Sequence, residues 1–600
     1  MKNFSLKNLN MKKIVLYFTP LMLLLGIDTL FIMPNITTLI SILIIYSLYF
    51  LLGALFNNNK YASVLLSALS FIIVIICKFK YEFTREPFFI SDLLYSSDMS
   101  EILSLVKSQF LSKTIKLFPL IIYYFMLFSG VALMNIKHNN YKFKLPRRII
   151  TIFTSIIILL ILFIPNKKVD TFIMNNFYKV NTRKAITSNR NYCWKYGYFS
   201  SMYGNILESR IFKPDNYNKV EIDKIVKTTE YEKDKTLGKP NIIVIFSESF
   251  MDIDLLDEIE FDKPITKNFN ELKKEGIFFN MISPSFGGTS ANVEFEFLTG
   301  SSLNYFSSSA VPYMNLYNTP NYSNTPSILN DLSDNGYYVK LVPFSSNLLF
   351  DCGKVYKLMK IDEVEFIPKV DKKYKKGTYV SEEYVADKII DNIKNKPKDK
   401  PLFYMTMTME THMPYSAKKY KKYDIDIVNS KFSKSLNGKI KSYAQGVYDA
   451  DKQLGRLYEY IKTLDEPTII VFYGDHLPHI MDDKSIKYFN TENKLQNLYR
   501  KYNTQSLILA NFDIDKLKEE NKELKYLGPD LLGAYLLNHM DINVSDYFKW
   551  VYSTRNIIGA SNRYVSIDQN GQLFYTDELK GEKEELYELR KRVQYRYLIK

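Results

Sequence analysis

The sequence predicts a bundle of apolar helices over residues 1–165, followed by an α/β domain built on a mostly parallel sheet. Three observations predict it. Five long apolar runs crowd into the first quarter of a 600-residue chain. From Pro240 onward, β-branched runs alternate with amphipathic helical stretches. The net charge of +15 is unevenly spread, with 16 Lys and Arg against 6 Asp and Glu up to Pro165, and 63 against 58 beyond it. A chain of this length calls for about two to four domains. An aromatic content of 15 % excludes a disordered chain, which could not bury enough apolar surface to offset its ordering entropy. Three cysteines exclude a disulfide scaffold and a cysteine-rich zinc module. The excess positive charge lies in the most apolar quarter, so it points to a membrane and not to nucleic acid.

The apolar runs are Ile14–Met33, Ile36–Phe56, Ala62–Cys77, Leu117–Ile136 and Ile149–Pro165. A bilayer core needs about 20 apolar residues per helix, so five spans are expected. No small-residue cleavage site follows the first run, which favours a span over a signal peptide. Basic residues in short loops set the orientation. With the N-terminus inside, the inner segments hold Lys2, Lys7, Lys12, Lys13, Lys60, Lys137, Lys142, Lys144, Arg147 and Arg148, and no acid. The outer loop from Lys78 to Lys116 balances six bases against five acids. An odd number of spans then places everything after Pro165 outside the cell, as a multi-pass membrane protein. Residues 166–238 are polar and aromatic and read as a juxtamembrane linker.

Residues 239–560 read as the outer domain. Asn241–Ser247 is a continuous β-branched run, as expected of a strand buried on both faces. Further strands are expected at Gly276–Ile282, Tyr337–Pro343, Leu402–Met409, Thr468–Tyr473 and Gln505–Ala510, with helices at Val380–Lys394 and Ser442–Leu464. Strand and helix in alternation give a mostly parallel sheet with helices on both faces. Residues 561–600 read as a hairpin around Gln569-Asn570-Gly571 and then a charged helix.

In such sheets, sites form outside the carboxyl ends of the strands. The first strand ends in Ser247-Glu248-Ser249, and the second runs into Phe286-Gly287-Gly288-Thr289-Ser290. The fourth ends in Glu410-Thr411-His412-Met413-Pro414-Tyr415, and the fifth in Gly474-Asp475-His476-Leu477-Pro478-His479. Each piece alone has a plain structural reading: a helix-start carboxylate, a tight turn, a satisfied loop pair. Their common position at one sheet edge favours a site. Carboxylate, hydroxyl and imidazole without thiolate suit a hard divalent ion such as Mn2+ or Mg2+, with Zn2+ an alternative. A Thr hydroxyl is a poor nucleophile until a metal lowers its pKa, so the set implies phosphoryl or sulfuryl transfer through a covalent intermediate. A nearby His can hold charged oxygens or protonate a leaving alkoxide.

Five spans followed by Ser-Glu-Ser, Gly-Gly-Thr-Ser, His-x-Pro-Tyr and Gly-Asp-His resemble the lipoteichoic acid synthase family, within the alkaline phosphatase and sulfatase superfamily. The resemblance covers nearly the whole chain. It implies Glu248, Thr289, Asp475 and His476 as metal ligands, with Mn2+ the usual ion, Thr289 as nucleophile and His412 as a phosphate or acceptor contact. It also implies cleavage of phosphatidylglycerol, glycerol phosphate held on Thr289, release of diacylglycerol, and transfer to lipoteichoic acid or a related envelope glycan or glycolipid. One departure concerns the substrate. Polymer-making members carry an aromatic-Asn-Arg stretch, whereas here Cys352 falls where that Arg would be, within Leu349-Phe350-Asp351-Cys352-Gly353-Lys354-Val355-Tyr356. Lys354 supplies a point charge without the bidentate grip. The expected substrate contacts are therefore Lys354, His412 and His479. A phosphoethanolamine transferase or phosphodiesterase of the same fold is the alternative enzyme, and a membrane scaffold on a relic enzyme domain is the non-enzymatic alternative. Sulfatase activity is disfavoured, because Ser283-Pro284-Ser285-Phe286 lacks the x-Pro-x-Arg order of a sulfatase nucleophile.

Overall fold

The computed structural model describes residues 18–23, 36–84, 87–89, 144–178, 193, 195–208, 210–230, 234–306, 312–315, 325–345 and 352–599. The chain divides into two compact units, Met1–Phe212 with Phe306–Ser309, and Lys213–Tyr305 with Ala310–Lys600.

Among the described residues of the first unit, three helices are long and apolar enough to cross a membrane. They are α1 (Thr38–Leu55), α2 (Asn59–Thr84) and α3 (Leu145–Phe163). They match the second, third and fifth expected spans. The expected span Leu117–Ile136 lies outside the described residues, as does Ile14–Met33 apart from a helical piece at 18–23. Ser41, Ser47, Gly53 and Ala54 are buried along α1, small residues of the kind that let membrane helices approach closely. Ser41 and Ser200 share a hydrogen bond of 2.7 Å. Arg148 of α3 donates to the Ala54 and Leu55 carbonyls at 2.7 and 3.0 Å, satisfying orphan acceptors at the end of α1. Ile150, Phe153, Ile157 and Ile161 of α3 are all more than half exposed, an apolar stripe suited to a hydrocarbon surrounding.

The second unit is built on a seven-stranded sheet. Its strands are β1 (Asn241–Ser247), β2 (Ile277–Ile282), β3 (Tyr338–Pro343), β4 (Glu363–Val364), β5 (Leu402–Met407), β6 (Thr468–Gly474) and β7 (Asn503–Ala510). The order is β2-β7-β6-β1-β5-β3-β4, parallel throughout except for β7, which runs antiparallel to both neighbours. Every residue of β1 and β6 is buried, which explains their unbroken apolar character. One face packs on α5 (Glu382–Lys394) and α6 (Lys434–Ile461), whose Val385, Ile389, Val447 and Leu454 join Ile243, Ile245, Ile470 and Phe472 in one core. α6 begins eight residues before the expected Ser442. Its first two turns are mostly polar and start from the Ser433 hydroxyl, which accepts from Leu436 N, so apolar periodicity does not reveal them. The other face carries α4 (Ser290–Thr299), buried along its whole length, and α7 (Pro529–Asn538); Phe297 meets Tyr473 and Tyr535 meets Phe279 at ring distances of 5.4 and 5.1 Å.

A small antiparallel sheet of β8 (Ala560–Ser561), β9 (Val565–Ile567) and β10 (Leu573–Tyr575) then leads into α8 (Glu582–Gln594), the expected hairpin and charged helix. Arg590 of α8 pairs with Asp530 of α7 at 2.5 Å. Gln594 holds Ser302 just beyond α4, accepting from its N–H at 2.7 Å and donating to its carbonyl at 2.9 Å. The tail is therefore tied to the helix that begins beside Thr289.

Candidate metal centre and active site

The register of two strands makes the centre. β1 and β6 are parallel neighbours with Ser247 opposite Gly474, so Glu248 and Asp475 leave the sheet edge side by side. Asp475 N donates to the Ser247 carbonyl at 3.3 Å as the pairing ends. Glu248, Asp475 and His476 each present a ligand atom within 4.8 Å of the others, and none is more than 3 % exposed.

Asp475 Oδ1 accepts from the N–H groups of Ser249 and His476, both at 2.7 Å, while Oδ2 is buried without a hydrogen-bond partner. His476 Nδ1 lies 3.3 Å from the Leu477 carbonyl. A carbonyl only accepts, so Nδ1 carries the proton and Nε2 presents a lone pair. That Nε2 is also buried without a hydrogen-bond partner, 3.4 Å from Asp475 Oδ2 and 3.9 Å from Glu248 Oε1. Burial pushes the Asp475 carboxyl up to about 6, and Glu248 adds to the rise while His476 opposes it. Converging buried lone pairs are costly unless a cation takes them. The three residues therefore fit a divalent ion.

Thr289 follows a turn in which Gly287 has φ +73°, Gly288 +152° and Thr289 itself +69°. A left-handed residue with a Cβ costs about 1–2 kcal/mol, and such strain collects at functional sites. Thr289 occupies the N-cap position of α4, yet its side chain makes no capping bond, so the hydroxyl is not spent on the helix. The α4 N-terminus favours negative charge at this point. The adjoining Ser290 hydroxyl reaches Glu248 Oε2 at 3.4 Å, which ties the turn to the cluster. His479 braces the same turn: a Cβ on Gly287 would fall 2.5 Å from three atoms of its ring, and Phe286 packs edge-on at 5.6 Å. Burial lowers the His479 pKa to about 4, so the ring is neutral at pH 7.

His412 is carried by the next loop, which Thr411 fastens to the cluster by donating its hydroxyl to the Glu248 carbonyl. His412 Nδ1 lies 2.8 Å from the Met413 carbonyl and 3.0 Å from the Tyr379 hydroxyl. The carbonyl makes Nδ1 the donor and leaves Nε2 for a ligand. Lys419 pins the loop from below, donating to the Glu410 and His412 carbonyls at 2.6 and 2.8 Å, and burial lowers its pKa to about 8. Lys354 is exposed on the short helix Cys352–Val355. The neighbouring Cys352 is buried and hydrogen-bonded to Tyr356, whose hydroxyl donates to Glu294 of α4 at 2.7 Å. Tyr313 donates to the same Glu294 oxygen at 2.8 Å. Residues 346–351 lie outside the described residues. Sequence reasoning missed Ser249, Lys419 and Glu294. Ser249 lies inside the Ser-Glu-Ser stretch, and only its backbone angle reveals its contacts.

The sulfatase family profile matches residues 240–542, half of the chain. The chain belongs to the sulfatase family. This bears out the superfamily that the motifs resemble, and its fold. Among solved structures, the sulfatase-family domain is similar to the phosphoglycerol transferase GacH of Streptococcus pyogenes in complex with sn-glycerol-1-phosphate, at TM-score 0.52 and 22 % identity over 65 % of this chain and 96 % of that one. It is also similar to the lipoteichoic acid synthase LtaP of Listeria monocytogenes, at TM-score 0.46 and 16 % identity over 63 % and 97 %. A curated relative, a putative cyclic beta-1,2-glucan modification protein of Rhizobium meliloti, is 32 % identical over 241 residues, or 40 % of this chain. The chain spans 36 % of that relative's length.

Proposed function

We propose that this sulfatase-family protein is a metal-dependent phosphotransferase. It moves a phosphoglycerol or related headgroup unit from a membrane phospholipid to an envelope glycan or glycolipid, with lipoteichoic acid one candidate acceptor. The observation that carries the proposal is the pair of unpartnered buried atoms, Asp475 Oδ2 and His476 Nε2, beside a strained Thr289 that opens a helix. Glu248, Asp475, His476 and Thr289 would hold the ion, with Mn2+ preferred over Mg2+ or Zn2+. When bound, the ion supplies Lewis-acid activation of the Thr hydroxyl. Thr289 Oγ attacks the donor phosphorus, the bond to the diacylglycerol oxygen breaks, and that oxygen leaves with a proton. His412, held through Nδ1, offers Nε2 to a phosphate oxygen or to the leaving group. An acceptor hydroxyl then displaces Thr289 from phosphorus. Among the similar proteins, GacH is a phosphoglycerol transferase and the Rhizobium relative is a putative glucan modification protein, which supports a headgroup donor and a glycan acceptor.

Cys352 favours a glycan-modifying role over polymerisation. It is buried against Tyr356 and offers a phosphate no bidentate grip. The basic inner segments support a catalytic domain outside the cell; a reporter fused after Pro165 should be active only there, and a cytoplasmic signal would reverse the topology. The mechanism is tested with the full-length protein in detergent, Mn2+ and phosphatidylglycerol. Diacylglycerol should be released, and release should stop with EDTA or in Thr289→Ala. Mass spectrometry of the Thr289 peptide after incubation with lipids of different headgroups names the unit transferred. Full activity in Thr289→Ala overturns the covalent route.

A further inference from the structure

We infer that Ser249 is the positioning residue of the metal centre, orienting Glu248, Asp475 and His476 at once. The inference rests on the metal reading of those three residues. Ser249 is 1 % exposed and is the second residue beyond the end of β1. Its φ is +53°, in the left-handed region that side chains other than glycine rarely enter.

That backbone angle and the hydroxyl give it the following polar contacts, beside a side-chain hydrogen bond with Tyr415. Its N–H donates to Asp475 Oδ1 at 2.7 Å. Its hydroxyl donates to Glu248 Oε1 at 2.8 Å. The same hydroxyl oxygen lies 3.4 Å from His476 Nδ1, the nitrogen that carries the proton, so it accepts there while it donates to Glu248. Its carbonyl accepts from the Tyr443 hydroxyl at 2.6 Å, which fixes the peptide plane.

The consequence lies in which atoms remain. Asp475 meets Ser249 through Oδ1, and Oδ2 stays free of hydrogen bonds. His476 meets it through Nδ1, and Nε2 stays free of hydrogen bonds. One serine thus engages the inner atom of Asp475 and of His476 and turns the outer atom of each to a common point, and it holds Glu248 through Oε1, which lies 3.9 Å from His476 Nε2. A glycine would take the same φ without strain but has no hydroxyl. An alanine would keep the strain and lose every contact that the hydroxyl makes. The serine at a strained position is explained by the bonds that its hydroxyl makes.

The test uses the full-length protein in detergent, stripped of metal and titrated with Mn2+. Wild type is compared with Ser249→Ala and Ser249→Gly. Outer-shell partners of metal ligands typically alter affinity by about 10–100-fold, and that loss is expected in both variants. The electron paramagnetic resonance spectrum of bound Mn2+ should also change, whereas the melting temperature of metal-free Ser249→Gly should stay near that of wild type. Should Ser249→Ala fail to fold, Ser249→Gly carries the comparison, because its backbone is relaxed. A variant that binds Mn2+ as tightly as wild type, with an unchanged spectrum, overturns the role of Ser249 alone. Wild-type protein that takes up no Mn2+ overturns the metal reading, and the role of Ser249 with it.

Discussion

Arg590→Met should loosen the catalytic unit by removing one half of a buried ion pair. Arg590 and Asp530 meet at 2.5 Å with side chains 8 % and 2 % exposed. Burial pushes the carboxyl of Glu296, on α4, well above the ordinary range; Asp530 adds to the rise and Arg590 opposes it. Without the guanidinium, Asp530 is left as an uncompensated buried charge next to a second acid. Breaking such a pair from one side costs about 3–5 kcal/mol, a large share of the 5–15 kcal/mol that a folded domain commonly has. Methionine keeps much of the side-chain volume, so the loss reports charge and not a cavity. Adding Asp530→Asn removes the orphaned charge and should recover most of it. Trp550, buried in the same unit, reports urea unfolding by fluorescence once Trp194, the other tryptophan, is replaced by Phe. If Arg590→Met unfolds within about 1 kcal/mol of its parent, or the double variant is weaker than the single one, the pair does not anchor α8 as described.

Two further outcomes follow from the same physics. Gly287→Ala should destabilise the catalytic unit by about 1–3 kcal/mol, from a Cβ at positive φ and from its collision with the His479 ring. His479→Ala should cost less in that background than alone, with a coupling of about 0.5–3 kcal/mol, and strict additivity of the two losses would remove the contact. Burial raises the Glu382 pKa from 4.5 to about 8, with Asp449 adding to the rise and the Thr408 hydroxyl, the Glu410 backbone contact and Lys419 opposing it. The folded state then binds the extra proton, so unfolding free energy should fall as pH climbs from 4.5 to about 8, by at most about 1.4 kcal/mol per unit. Glu382→Gln should flatten that slope in urea unfolding followed across pH, and an unchanged slope would reject the assignment.

Much of this was legible in the sequence where burial leaves a chemical mark. β1 and β6 are covered on both faces and read as unbroken apolar runs, so their limits were set to within a residue. Strand direction leaves no such mark, and the reversal of β7 between β6 and β2 came only from the pairing. The polar start of α6 was invisible for the opposite reason, since an exposed turn has no apolar period. Glu248, Asp475 and His476 stood out because strand ends collect sites. Ser249 did not stand out, because its role depends on one dihedral angle and on a register between segments 226 residues apart. The pairing of Arg590 with Asp530 crosses 60 residues with no local signature at all.

That register has a bearing on how the chain acquires its chemistry. Glu248 and Thr289 leave the ribosome long before Asp475 and His476, and no short segment contains more than part of the ligand set. The candidate cation-binding corner comes into being only when β6 slots beside β1, one of the longest loop closures the domain makes and a slow event by the logic of contact order. An ion that binds the finished corner and not the open chain would reward that closure by mass action. Under the proposed function, competence to transfer a headgroup and completion of the sheet become the same event, and a partly folded chain would carry Thr289 without its metal ligands.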